Sequence, residues 1–264
     1  NSATDDLDGV TNIETVTLGD AATSVTTIDG LVGNGQTLTV TAAALTGSNA
    51  LTWDGSAETN GSFSITGSDQ DDSIAGGEAN DIINGGSGSD TVTGGAGADT
   101  ISGGDGDDTL NYVSGAELSG DVSVDGGSGT DTIAFTENGV TDVNDADFAN
   151  VTNIEVVTFA DGNNVGSFGA NAATASGVGS LGINSGAGND TLDLSSLGKS
   201  AVVSSGAGDD QITGSSSGDT IIFGANLTSA DTIDGGSGTD ELRFTDSNSA
   251  TDDLDGVTNI ETVT

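Results

Sequence analysis

The sequence predicts an all-β chain coiled as a right-handed parallel solenoid, and three observations carry that expectation. First, residues 67–111 divide into five consecutive nine-residue units: GSDQDDSIA, GGEANDIIN, GGSGSDTVT, GGAGADTIS and GGDGDDTLN. Aspartate holds the sixth place of every unit (Asp72, Asp81, Asp90, Asp99, Asp108), and an aliphatic residue holds the eighth (Ile74, Ile83, Val92, Ile101, Leu110). Second, the chain is 33% hydrophobic but only 3% aromatic, with 44 Gly and no Pro. That is too apolar for a merely solvated coil and too poor in bulky residues for an ordinary globule, so a thin, repetitively filled core fits. Third, short runs that alternate apolar and polar residues, divided by turn clusters, recur outside the array as they do in strands.

Each nine-residue unit has a physical reading. Glycine at places one, two and four permits positive φ and close backbone approach, so six residues form a tight turn with carbonyls aimed inward. The last three residues form a short strand whose aliphatic member points into the core while its neighbours face solvent. Two units make one coil of about 18 residues, so turns stacked on one edge come from alternate units. Asp72 then faces Asp90, Asp81 faces Asp99, and Asp90 faces Asp108. Carboxylates and carbonyls in flexible number suit Ca²⁺ better than the strict octahedron of Mg²⁺, and a chain with no His and no Cys lacks the usual zinc ligands.

The pattern G-G-x-G-x-D-x-U-x resembles the repeat of RTX proteins, which occur among secreted toxins, proteases, adhesins and bacterial surface-layer proteins. The resemblance implies a right-handed parallel β-roll with calcium-binding turns, Ca²⁺ as the cofactor, and export by a type I secretion system to the cell surface or beyond. Two units depart from the pattern at place four, with Gln70 and Ala79.

Taken in order, residues 1–66 read as a β-rich spacer with strands at 13–18, 37–41, 50–53 and 62–66. Residues 67–135 read as the main β-roll, closing on the turn DGGSGTDTIAF that carries Asp131. Within it, 112–124 reads as an outward loop. Residues 136–184 form an acidic connector and a degenerate solenoid, with Val165, Phe168, Val178, Leu181 and Ile183 as the inward set. The acidic connectors TDVNDAD (141–147) and SATDDLD (249–255) read as solvated polar loops, with further calcium binding as the alternative. Residues 185–247 read as a second, degenerate β-roll. SGAGNDTLDL, SGAGDDQIT, GSSSGDTII and DGGSGTDELRF supply Asp190, Asp210, Asp219 and Asp240 as candidate ligands, and SSLGKS reads as a calcium-free turn. Trp53 and Tyr112 read as core residues rather than a sugar-stacking platform.

Residues 1–17, NSATDDLDGVTNIETVT, recur unchanged as residues 248–264, an offset of 247 residues. Residues 248–264 therefore read as the start of the next tandem copy. A weaker duplication lies inside the period, since DFANVTNIEVVT (147–158) matches DLDGVTNIETVT (253–264).

Forty-two acidic residues against two basic ones give a formal net charge of −40. Such a chain repels itself unless cations offset the charge, so folding is expected to be calcium-linked. The same balance excludes nucleic acid as a partner and disfavours anionic membranes, and no apolar run is long enough to span one. Without His or Cys, the common triads, zinc hydrolase motifs and thiol chemistry are absent, and carboxylates repeated in every turn point to structure rather than to a catalytic cleft. The expected function is a non-enzymatic, calcium-stabilised structural repeat protein building a filament, surface layer or matrix. Alternatives are the stalk of a giant adhesin or the non-catalytic region of a secreted hydrolase. Expected partners are further copies through tandem or lateral contacts, and cell-surface polysaccharide.

Overall fold

The computed structural model describes residues 5–7, 10–11, 13–21, 23–177, 179–224, 227–245 and 254–264. It divides into two compact units: the described residues up to Tyr112 with Gly120–Thr132, and Val113–Ser119 with the described residues from Ile133 onward. In both, the strands are short, follow one another around a coil, and pair in parallel with strands one coil away.

In the first unit one sheet carries, in spatial order, Asp5–Asp6, Thr23–Thr26, Leu51–Asp54, Ser73–Ala75, Thr91–Thr93 and Thr109–Tyr112. The other carries Thr15–Thr17, Thr37–Thr41, Ser62–Thr66, Ile82–Ser87, Thr100–Asp105 and Ser123–Ser128. Through the nonapeptide array the register advances by 18 residues per coil, Thr91 facing Thr109 and Ile82 facing Thr100. Because side chains alternate along a strand, this register stacks the aliphatic places in columns. Trp53, Ile74, Val92 and Leu110 form one column, and Ile65, Ile83, Ile101 and Val124 the other. All eight are buried, each contributing about 1.5–3 kcal/mol of burial free energy. Trp53 meets Phe63 edge-on at 5.5 Å between centroids, and Tyr112 is likewise buried, so both are core residues.

In the second unit one sheet carries Thr132–Phe135, Val156–Phe159, Leu181–Asn184, Ala201–Ser204, Thr220–Phe223, Glu241–Phe244 and Thr262–Val263. The facing sheet carries Val165–Ser167, Thr191–Asp193, Gln211–Thr213, Thr232–Asp234 and Val257–Thr258. Its core is widened by aromatic packing. Phe135 stacks on Phe159 at 5.2 Å, and Phe168 touches both Phe148 and Phe159.

Four expectations change. The strand Thr23–Thr26 lies where no strand was expected. The loop expected at 112–124 contains a helical turn, Gly115–Gly120, with Leu118 buried. Val165 faces outward at 39% exposure. Asn164 occupies an aspartate place, which puts Val165 on the solvent side of the strand and turns Gly166 inward beneath the Phe168 ring. Phe168, Leu181 and Ile183 are buried as expected, while Val178 lies outside the described residues.

The acidic connector, finally, is not simply solvated. Asp145 accepts the backbone N–H groups of Gly169, Asn171 and Ala172 and so caps the helix Ala170–Ala175. Asp147 and Asn144 form a reciprocal capping box around the 3-10 turn Asp145–Phe148. Asp142 accepts from Gly115 and Ala116. The second connector, 249–255, falls almost wholly outside the described residues.

Candidate metal sites

The sixth-place aspartates sit at the corner where each turn enters its strand, and they are buried. Each uses Oδ1 to accept a backbone N–H from one coil earlier, which links the corners into ladders. In the first unit Asp72 N–H donates to Asp90 (2.8 Å), Asp90 to Asp108 (2.7 Å) and Asp108 to Asp131 (2.8 Å). On the opposite edge Asp81 donates to Asp99 (2.8 Å) and Asp99 to Asp121 (2.9 Å). In the second unit Asp190 donates to Asp210 (3.0 Å) and Asp210 to Asp231 (2.7 Å). On its other edge Asp219 donates to Asp240 (2.7 Å), and Asp240 to Glu261 Oε2 (2.8 Å). The alternate-unit pairing expected from an 18-residue coil is therefore the geometry observed.

The second carboxylate oxygen divides the sites into two kinds. Asp72 is satisfied within its own turn, with Ser68 N–H on Oδ2 and Ser68 Oγ on Oδ1. Gly77 N–H serves Asp81 Oδ2, and Ser215 serves Asp219 in the way Ser68 serves Asp72. For Asp90, Asp108, Asp190, Asp210 and Asp240, by contrast, Oδ2 is buried and receives no hydrogen bond. The two units with Gln70 and Ala79 at place four thus contain the satisfied aspartates Asp72 and Asp81.

A buried carboxylate with an orphaned oxygen is costly while charged. Burial pushes Asp90 up to about 7, with Asp108, Asp72 and Asp71 adding like-charge repulsion. Burial likewise pushes Asp81 and Asp210 up to about 6. Asp108, Asp121, Asp190 and Asp240 are raised by the same cause. Neither basic side chain offsets the ladders. Arg243 pairs with Glu241 at 2.6 Å, while Lys199 Nζ donates to Ser176 Oγ and to the carbonyls of Ala173 and Gly177, capping the end of the Ala170–Ala175 helix.

The turn glycines show where a cation fits. A Cβ on Gly85 would fall against both Asp90 Oδ2 and the Gly103 carbonyl oxygen of the next coil. A Cβ on Gly103 would fall against Asp108 Oδ2 and the Gly126 carbonyl oxygen. Two acceptors face one point with no donor between them, a cradle that suits an oxygen-liganded cation. Among the described residues no three acidic side chains converge, so backbone carbonyls have to complete the six to eight oxygens that Ca²⁺ takes.

Asn164 supplies an internal comparison. It stands in the same ladder, accepting from Val140 N–H at 2.9 Å and donating its own N–H to Asp190 Oδ1 at 2.8 Å. Its Nδ2 donates to the carbonyls of Ala160 (2.9 Å), Gly162 (2.9 Å) and Ser185 (2.8 Å). Ser185 holds the place in its coil that Gly103 holds beneath Asp90. The amide therefore meets the kind of inward carbonyl that the carboxylates crowd, and it supplies donors where they supply none.

Sequence reading missed four ladder members. Asp121 follows a coil enlarged by the Gly115–Gly120 turn, and one extra residue separates it from its strand, so the Asp-x-aliphatic signal is broken. Its Oδ2 accepts from the buried Tyr112 hydroxyl at 2.9 Å. Asp231 keeps that signal, Asp-Thr-Ile, but lacks the glycines before it. Asn164 and Glu261 differ in residue type, and only their spacing from Asp190 and Asp240 marks them.

The family model of the RTX calcium-binding nonapeptide repeat (4 copies) matches residues 64–92, 85–116, 118–136, 202–226 and 228–245. No curated protein and no solved structure matches the chain.

Proposed function

We propose that this chain, an RTX calcium-binding repeat protein folded as a parallel β-solenoid, is a calcium-stabilised extracellular building block of a filament, surface layer or matrix. The observation that carries the reading is the identity of residues 1–17 with residues 248–264, which favours a repeating part over a unique domain. The repeat solenoid is structural rather than catalytic in character, and RTX repeats are typical of proteins exported by type I secretion.

At residue level, Asp90, Asp108, Asp190, Asp210 and Asp240 are the strongest calcium ligands in this proposal, since each holds an orphaned, buried oxygen. Asp99 and Asp131 occupy the same ladder place. Asp72, Asp81 and Asp219 complete the ladders with carboxylates already held by their own turns. Bound Ca²⁺ supplies positive charge between stacked carboxylates and carbonyls. The chain's part is to hold those oxygens one coil apart and to keep the turns open by having glycine where a side chain would intrude. Charge also sets the order of events: with a formal net charge of −40, the chain stays expanded where calcium is scarce and closes where it is abundant.

Electron microscopy of calcium-loaded material from the natural source tests the assembly. The proposal predicts open-ended filaments or lattices that disperse in chelator. Isolated rods of one fixed length would favour a stalk, and compact monomers in calcium would contradict both.

A further inference from the structure

The repeated segment is seen in three settings. In the copy at 257–264 it is covered on one side: Val257 and Thr258 pair with Ile233 and Asp234, Thr262 and Val263 pair with Glu241 and Leu242, and Glu261 closes the ladder from Asp240. In the copy at 10–17 it is covered on the other side, where Thr15, Val16 and Thr17 pair with Thr39, Val40 and Thr41. The inner copy, VTNIEVVT at 151–158, is covered on both. Val156–Phe159 lies beside Thr132–Phe135, with Ala160 N–H on the Phe135 carbonyl at 2.9 Å, and its other edge pairs with Leu181–Asn184.

The local fold is shared. Asn153 and Asn259 are the two non-glycine residues with positive φ among the described residues, at 53° and 52°. Both make the corner of a VTNIE run. The apolar residues differ only in cover. Val157 is 0% exposed where its equivalent Val263 is 51% exposed, and Ile154 is buried where Ile13 and Ile260 are half-buried.

We infer that residues 10–17 and 257–264 occupy the same place in the solenoid, one seam coil through which one 247-residue period continues into the next. The seam takes Glu241–Phe244 on one side and the Thr37–Thr41 strand of the following copy on the other. The aspartate ladder of the preceding period ends at it on the Glu261 carboxylate. The duplicated turns DGGSGTDTIAF before 151–158 and DGGSGTDELRF before 257–264 make the inner coil a built precedent for the join. The inference rests on the building-block reading, yet it fails separately: a seam that joins copies is compatible with a stalk, and a filament held only by lateral contacts is compatible with no seam.

Removing residues 248–264 exposes the strands Thr232–Asp234 and Glu241–Phe244 while Thr15–Thr17 keeps its uncovered side. In calcium, sedimentation of the 1–247 chain should show concentration-dependent linear oligomers. The 1–264 chain should stay monomeric, and a peptide of residues 248–264 should cap the 1–247 oligomers. A folded 1–247 chain that stays monomeric at every concentration overturns the inference. A second measurement covers misfolding of the truncated chain: amide exchange in a two-period chain, residues 1–247 followed by 1–264. The central TVT strand should be protected as well as Val156–Phe159. Exchange there as fast as in the terminal copies overturns the inference equally.

Discussion

Asn164→Asp converts the one amide in the ladders into the residue found at the other corners. The amide's donors are lost from the carbonyls of Ala160, Gly162 and Ser185. Two N–H groups at about 1–1.5 kcal/mol each make the direct loss about 2–3 kcal/mol. Desolvating the new carboxylate beside Asp190 adds roughly 1–2 kcal/mol, so the calcium-free state should lose about 3–5 kcal/mol. Oδ1 can still accept from Val140 N–H, so the corner itself survives. The new Oδ2 faces the Ser185 carbonyl as Asp90 Oδ2 faces that of Gly103, which makes a cation cradle. Calcium should then restore most of the loss. Amide exchange of the 156–184 region, read by mass spectrometry across a calcium titration, is the assay. In wild type, protection there should appear together with that of residues 82–111 as calcium is returned, and in the variant it should lag and be completed only at higher calcium, as the added cradle fills. If the variant's protection in this region rises at the same calcium concentration as that of wild type, the reasoning is wrong.

Gly104→Ala should destabilise the calcium-loaded fold by about 2 kcal/mol or more, because φ is +124° and the new Cβ would meet the Gly86 carbonyl oxygen of the neighbouring coil. Urea unfolding followed by circular dichroism checks it, and an unchanged midpoint would contradict the stacked-turn geometry. In calcium-stripped protein, lowering the pH should promote the fold. Asp90 at about 7 and Asp81 and Asp210 at about 6 bind protons in the folded state that the unfolded state, near 3.8, does not. Stability from these groups therefore falls as pH rises from about 4 to about 7. Strand signal should grow between pH 8 and pH 5 without calcium, and its loss on acidification would reverse the sign of the argument. With calcium present, the same protons compete for the carboxylates, so calcium affinity measured by isothermal titration should weaken over that window.

Much of this was legible because the nonapeptide couples two periods, an aliphatic place that fills the core and an aspartate place that builds the corner. Any coil retaining both could be placed from spacing alone, as with Asp90 and Asp108, or Asp190 and Asp210. Legibility ended where one period was broken. The coil carrying Asp121 absorbs a helical turn, so counting by nines fails there. At Val165 the hydrophobic pattern pointed inward, but Asn164 fixed the corner, and the corner sets which face each following residue takes. The carboxylates of the connector looked like solvent-facing charge because sequence does not show which backbone amides from distant coils arrive beside them. Asp145 holds a helix 25 residues further on. Nor does an aspartate at place six reveal whether its second oxygen is met, as at Asp72 by Ser68 and at Asp81 by Gly77 N–H, or orphaned, as at Asp90.

Calcium is the central claim, and circular dichroism with parallel small-angle scattering on the calcium-stripped chain at pH 8 tests it most directly. The account predicts an expanded chain with weak strand signal in excess EGTA, and a cooperative gain of strand and loss of radius as calcium is returned. Strand content and radius that stay the same in excess EGTA as in calcium would contradict it.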